Sequence, residues 1–303
     1  MSKIKKLLRN RNFILLLAAM FGLLLPQGSR WTENLTLPAL AVIMSLSTMG
    51  VSGNVFRSPR SLIVPAILGI LMSYVVLAGF ILGIGAIIIH EENIWKGIII
   101  LAVVPPAVAI IPFTEYLNGN STYSLIGTTA GYLGALIIMP LIVFKFLGSS
   151  SFDLARVPMI TALLIIVPLV ISRILLWKRI AEKIEPIKGT ITNWSFFVVF
   201  YTIVGLNQDI FVGQPLRLVP VAAIAIASTF FLGLIIDSVG RLFRIDSKIA
   251  TSLVLLGTLK NYGLAGGLAL ALFGKQTALP ATVSTIFMFI YIVWLGFKVR
   301  RPV

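Results

Sequence analysis

Two short stretches of this chain put polar groups where their surroundings make them expensive. Lys260-Asn261-Tyr262-Gly263 interrupts one apolar run, and Glu115 follows Pro105, Pro106 and Pro112 inside another. A charged side chain at bilayer depth costs at least about 2.5–3.5 kcal/mol, so such residues mark a pathway or are paired. A proline inside a helix removes a hydrogen bond and clashes with the turn before it, so three of them between 105 and 112 predict a broken helix. The chemistry on offer is binding. The exposed N–H groups and positive dipole end of a half-helix can hold an anionic group, and an ammonium adds a full charge. Lys260 and Glu115 are also placed to pair across the two breaks. Asp237 and Arg173 fall nearer segment ends, where long side chains reach the interface.

Catalytic signatures are missing. The sequence contains no G-x-x-x-x-G-K-[ST] loop, no H-E-x-x-H and no G-x-S-x-G, and with no cysteine it has no thiolate nucleophile or ligand. The single histidine, His90, stands beside Glu91 and Glu92 and reads as a loop residue. Neither a metal site nor a cofactor is expected.

The elements that carry the two breaks follow from composition. The chain is 58% hydrophobic and 12% charged, against roughly 45–50% and about 25% in soluble domains. A crossing helix needs about 20 apolar residues. Apolar segments fall at about 13–29, 34–52, 61–89, 97–117 and 121–148, then 156–177, 191–208, 216–238, 248–273 and 277–297. The expected fold is therefore an all-α membrane protein of about ten transmembrane helices. The basic start (Lys3, Lys5, Lys6, Arg9, Arg11) resembles a signal peptide but lacks a small-x-small cleavage pattern, and is read as leading into a retained first span.

A net charge of +15 would point to nucleic acid in a soluble protein. Here the basic residues sit at segment ends, so the expected partner is the lipid bilayer and not nucleic acid. With the N-terminus inside, 17 Lys and Arg fall on the inner side and 6 on the outer. This predicts a multi-pass protein of the cell membrane with both termini cytoplasmic. Trp31, Trp95, Trp177, Trp194 and Trp294 lie near segment ends as interfacial anchors. Glycines at small-x-x-x-small spacing (Gly79/Gly83, Gly127/Gly131, Gly263/Gly267) predict close helix packing.

An offset of 155 residues places Leu117 on Leu272, Gly119 on Gly274 and Thr122 on Thr277. Five segments per half make the second half enter from the opposite side. The reading is one transporter domain, 1–303, built of inverted repeats at about 1–150 and 151–303, with crossed broken helices 4 and 9. Paired interruptions at matching places in two repeats point to a transporter binding site.

At these residues the sequence resembles the bile acid:sodium symporter family. Tyr116-Leu117-Asn118-Gly119-Asn120 stands against that family's Tyr-Leu-x-x-Gly-Asn, and Lys260-Asn261-Tyr262-Gly263-Leu264-Ala265 against its Gln-Asn-Ser-Gly-Leu-Ala. The resemblance implies a core of helices 3–5 and 8–10 moving against a panel of helices 1, 2, 6 and 7. It implies a small organic anion as substrate, with Asn261 a substrate contact and Thr258 and Tyr262 its neighbours; Lys260, Gly263, Pro106 and Pro112 complete the candidate site. The family's sodium ligands are largely replaced. Ile110 and Ile111 stand for a Ser-Asn pair, Leu256 for a Glu, Lys260 for a Gln and Ser73 for a helix-three Gln, while the helix-five hydroxyls persist as Ser124 and Thr128.

Sodium prefers several oxygen ligands, so a Lys260 ammonium standing in for the ion is the physical alternative. Burial disfavours the charged form of an amine, so the same group can also load and release a proton. Lys260, Glu115, Ser124 and Thr128 are the candidate coupling residues, and the coupling ion is left open among sodium, a proton and none. The expectation is a secondary transporter working by alternating access, its oligomeric state open. A cation/proton antiporter of similar build is the alternative; an arsenite-type carrier would need a cysteine, and an intramembrane enzyme or receptor a catalytic cluster or soluble module.

Overall fold

The computed structural model describes residues 11–49, 59–107, 109–147 and 156–299, and almost all of them are helical. In chain order the helices are α1 (Arg11–Leu24), α2 (Thr36–Thr48), α3 (Pro59–Ile70), α4 (Ala78–Ile88), α5 (Glu92–Val103), α6 (Ile110–Tyr116), α7 (Ser121–Leu147) and α8 (Arg156–Trp177). Then come α9 (Ile180–Leu206), α10 (Gln208–Gly213), α11 (Val219–Ile226), α12 (Leu232–Leu242), α13 (Ser247–Leu256), α14 (Tyr262–Phe273) and α15 (Leu279–Val299). A π-helical segment, Leu71–Leu77, joins α3 to α4, and another, Ala227–Phe231, joins α11 to α12.

Among the described residues, five helices are long and apolar enough to cross a membrane: Leu62–Ile88, Ser121–Leu147, Ile180–Leu206, Pro215–Leu242 and Lys275–Lys298. A sixth span exists if Phe13–Leu24 and Pro26–Leu46, bent by 99°, count as one. The chain is a multi-pass, all-helical membrane protein. The predicted segments 97–117 and 248–273 fall short of that test for one reason. Each is split at its break, into α5 and α6 or α13 and α14, and neither half spans about 30 Å alone.

The first segment ends at Leu24 because Pro26 cannot continue it, while α9 begins at Ile180, earlier than the predicted 191. The predicted inner-side charges Lys3, Lys5, Lys6, Arg9, Arg57, Arg300 and Arg301 lie outside the described residues.

Burial sorts the helices. From Gly97 to Val103 every residue of α5 is buried, and so are Leu264 to Leu270 of α14. A helix apolar on all sides belongs to an interior, and these two form it. Apolar side chains of α3, α7 and α15 (Val64, Ile67, Ile137, Leu141, Phe144, Ile290) are exposed, as a lipid-facing surface requires.

Close packing follows the glycines in part. A Cβ on Gly131 would stand 2.6 Å from Pro106 Cδ, one on Gly127 2.8 Å from Leu256 Cδ1, and one on Gly267 2.1 Å from Leu40 Cδ1. The expectation for Gly79 and Gly83 is corrected: among the described residues nothing lies within 4 Å of a Cβ at either.

Candidate functional site

The two breaks solve each other's hydrogen-bond problem. Pro105 and Pro106 have no N–H to continue α5, and the backbone leaves helical geometry at Val104. On the other side, α13 stops at Gly257. The Ala107 amide donates to Leu259 O at 3.3 Å and the Asn261 amide to Pro105 O at 2.9 Å. Pro106 thus faces Lys260 in an isolated antiparallel bridge. Non-helical backbone at membrane depth is tolerated only where protein or a water-lined cavity satisfies it, and here each break satisfies the other.

The Leu-Asn-Gly-Asn turn after α6 is equally determined. Asn118 adopts a positive φ of 54°, and the Gly119 amide reaches back to Thr114 O at 2.8 Å, closing the helix. Asn120 then caps α7, its Oδ1 accepting from the Tyr123 amide at 3.0 Å. Its own amide donates to Lys248 O, and its carbonyl accepts from Ser252 Oγ, tying the turn to α13.

Lys260 is 0% exposed. Its Nζ donates to Ser73 Oγ at 2.9 Å and to Val104 O at 3.0 Å, and lies 4.3 Å from the centre of the Tyr74 ring. Ser73 and Tyr74 come from the π segment, whose extra residue per turn turns both toward the crossing. The predicted Lys260–Glu115 pair is corrected: among the described residues no carboxylate lies within ion-pair distance of Lys260. Glu115 sits on the exposed side of the short α6 helix, and Pro112, also exposed, stands in its first turn, where a missing N–H costs nothing. The helix is broken by Pro105 and Pro106, not by Pro112.

Asn261 has its polar atoms engaged. Oδ1 caps α14 by accepting from the Leu264 amide at 3.1 Å, and Nδ2 donates to Tyr132 OH at 2.8 Å and lies 3.4 Å from Met44 Sδ. Thr258 is fully buried and donates to Val254 O at 2.7 Å, while Tyr262 OH donates to Thr258 O at 3.4 Å. Ser124 shares a hydrogen bond with Thr114 at 2.7 Å, and Thr114 donates to Ile110 O. The buried Thr128 Oγ1 has no partner among the described residues.

Beside the crossing lies a cavity of about 630 Å³. One wall is the crossing itself: Ala107, Ala109, Lys260, Asn261, Tyr262 and Gly263, extended by Pro112 and Glu115. The facing wall is α9, with Thr192, Asn193, Phe196, Val199, Phe200 and Ile203, and α15 adds Thr282, Thr285 and Met288. Glu185, Gly189 and Glu115 are exposed and mark the open end, where Lys188 pairs with Glu185 at 3.3 Å. Beyond the deep end Asn207 Nδ2 donates to Ile203 O and to Lys275 O, both at 2.9 Å, clamping α9 to the start of the last span.

Of the candidate residues, Lys260, Asn261, Tyr262, Gly263, Pro112 and Glu115 line the cavity. Thr258, Pro106, Ser124 and Thr128 lie behind its wall in packed protein. The α9 and α15 polar positions were missed, although Thr192-Asn193 and the Thr282/Thr285 pair interrupt apolar helices and were visible as such.

The comparisons with known proteins identify the family. The chain is 22% identical over 275 residues to the probable sodium/metabolite cotransporter BASS1, chloroplastic, of Arabidopsis thaliana, a match covering 89% of this chain and 68% of that protein. A family model covers residues 13–295, nearly the whole of a polytopic helical chain with paired breaks beside a cavity, and by that match the chain belongs to the SBF-like CPA transporter family, transporters and not enzymes.

Proposed function

We propose that the protein is a secondary transporter that moves a small organic anion by alternating access, with the Lys260 ammonium taking the place of a coupling cation. The observation that carries this is the setting of Lys260. Its three N–H donors face a hydroxyl, a carbonyl and an aromatic ring, a set suited to a cation, with no carboxylate among the described residues to neutralise it. The charge therefore acts on what enters the cavity. An anion at Tyr262–Gly263 would meet the Gly263 amide and the positive dipole end of α14 beside that charge, the Tyr262 and Leu264 amides being bonded to Lys260 O and Asn261 Oδ1, with Phe196 and Phe200 against its apolar part. Asn261, Thr258 and Pro106 shape this wall, and Ser124 and Thr128 support it from behind.

The architecture proposed is ten spans in two inverted repeats, about 1–150 and 151–303. What supports it is correspondence at one offset: 155 residues carry Leu71, the start of the first π segment, to Ile226, beside the second at Ala227. The same offset carries the first break onto the second. In this reading helices 3–5 and 8–10 rock against 1, 2, 6 and 7. The cavity opens toward the side carrying Glu115, Glu185 and Lys188, cytoplasmic by the distribution of Lys and Arg, and the Asn207–Lys275 clamp holds the other side closed. The cell membrane, with both termini inside, is the proposed location.

Cation/proton antiport is the second reading, favoured by Glu115 facing the cavity. Against it stands Lys260, whose ammonium would repel a cation from the crossing. The test is thermal unfolding of the purified protein across a sodium titration, choline holding ionic strength constant, because a ligand of the folded state stabilises it by RT ln(1 + [L]/Kd). The expected response is flat, alongside carboxylate or sulfonate uptake into proteoliposomes that needs no sodium. A saturable, sodium-specific rise in Tm would overturn the role given to Lys260.

A further inference from the structure

The ends of α12, α13 and α15 enclose a second cleft, of about 170 Å³, that shares no residue with the first. Asp237, Arg241, Thr251, Trp294 and Lys298 supply its polar lining. Asp237 Oδ2 accepts from Arg241 Nη2 and from Lys298 Nζ, each at 2.7 Å. The trio carries a net positive charge, and the acid takes only one donor of each cation, leaving most of the guanidinium's five and the ammonium's three free to bind. Those donors are accessible: the side chains of Arg241 and Lys298 are 67% and 34% exposed, against 25% for Asp237. Asp237 is thus an orienting group that holds two cations at a fixed spacing over the cleft.

What flanks the cleft indicates the kind of molecule those cations meet. Leu234, part of its lining, is exposed, and so are Leu242, Phe243 and Phe297 nearby in the chain. An apolar surface of this kind on a membrane span faces acyl chains. Lys298 lies 5.6 Å from the Trp294 ring, placing an indole beside the ammonium, the residue pair typical of headgroup depth. Arg244 and Lys248, both exposed on the same turn, add positive potential; the acid among them, Asp246, is occupied in capping α13. A soluble anion would use the cations and leave the apolar flank bare, whereas a lipid uses both.

We infer that this cleft is a headgroup site for an anionic phospholipid of the leaflet it faces, the phosphodiester lying between Arg241 and Lys298 and the acyl chains along Leu234 and Phe297. Basic pockets between helix ends are where such headgroups bind. A lipid there joins α12 to α15 more firmly than Asp237 alone.

The test uses the full chain, delipidated in neutral detergent, with phosphatidylglycerol or phosphatidylcholine added in mixed micelles. Thermal unfolding is followed and retained lipid is counted by native mass spectrometry. The expected result is a saturable rise in Tm with phosphatidylglycerol alone. Its half-saturation point weakens about fivefold in Arg241→Gln or Lys298→Gln, the contribution of one near-surface cation. Arg244→Gln makes the same charge change outside the cleft and is expected to weaken half-saturation by less than either. Asp237→Asn removes the competing acid, keeps both cations and is expected to tighten binding, which separates a lost site from a misfolded variant. Equal weakening by Arg244→Gln, no preference between the two lipids, or loss of lipid in folded Asp237→Asn would overturn the proposal. So would an equal rise with inorganic phosphate alone, which would make the ligand a free anion.

Discussion

Ser73 is the residue at which the reasoning about Lys260 is most exposed. Ser73→Ala removes one oxygen and leaves the ammonium buried with Val104 O and the Tyr74 ring. A hydrogen bond to a charged group contributes about 1.5–3 kcal/mol, and the site is too enclosed for water to replace it freely. At about 2 °C per kcal/mol for a chain of this size, Tm falls by roughly 3–6 °C. Lys260→Met removes the charge together with its desolvation cost of several kcal/mol and keeps most of the volume, so its own effect on stability is small.

The decisive quantity is the double variant. If the hydroxyl acts through the ammonium, Ser73→Ala costs almost nothing in the Lys260→Met background, and the coupling energy is about 1.5–3 kcal/mol. Tryptophan fluorescence reports unfolding, the chain having five tryptophans. An equal fall in Tm in both backgrounds would mean that Ser73 matters only for packing of the π segment, and the account of Lys260 as a held cation would fail. Lys260→Met is also expected to abolish anion uptake while folding normally; uptake at the unaltered rate would remove Lys260 from the mechanism.

Other substitutions probe the elements around it. Gly131→Ala drives a methyl to 2.6 Å from the Pro106 ring; the expected loss is about 1–3 kcal/mol of stability, whereas Gly79→Ala, with nothing within 4 Å, should be neutral or better in the same melts. Asn261→Ala loses a helix cap worth about 1 kcal/mol and the donor to the buried Tyr132 hydroxyl, which keeps only Met44 Sδ at 3.8 Å. Asn261→Ser keeps a capping oxygen, so its Tm should fall between wild type and Ala, and identical values for the two variants would deny the cap. Asn207→Ala breaks the clamp to Lys275 O and should populate the opposite-facing state. Because the chain has no cysteine, a Thr285→Cys reporter in the cavity can be labelled cleanly, and its rate from the Glu185 side should drop in the Asn207→Ala background.

How far the site was legible depended on whether a signal was local. Pro105-Pro106 and Lys260-Asn261 announce their breaks without any partner, because a missing N–H and a charge in an apolar run are costs that the helix itself cannot remove. The 155-residue offset behind the proposed repeats rests on two short matching stretches. The pairing of Lys260 with Glu115 could not be judged this way. Both lie at broken helices, but the register of α6 turns Glu115 outward, and the real partner, Ser73, is 187 residues away on a π segment with no clear sequence signature. Thr258, Ser124 and Thr128 resemble the other candidates in type, and only the direction in which each helix presents them excludes them from the cavity. Gly79 and Gly83 have the spacing of a packing motif, yet spacing is silent on whether a neighbour arrives.

By itself the sequence determined that this chain lives in a bilayer, that two of its apolar runs cannot be continuous helices, and that a lysine sits in one of the interruptions. These follow from hydrogen bonding and solvation, which act residue by residue. Tertiary structure alone decided that the two breaks, expected to cross, complete each other's backbone bonds. It likewise decided that the Lys260 amine meets a hydroxyl, a carbonyl and a ring, and that α9 forms the opposite wall. Those outcomes depend on which helices meet and in what rotation, and a rotation of one residue, about 100°, is enough to turn a side chain from cavity to lipid.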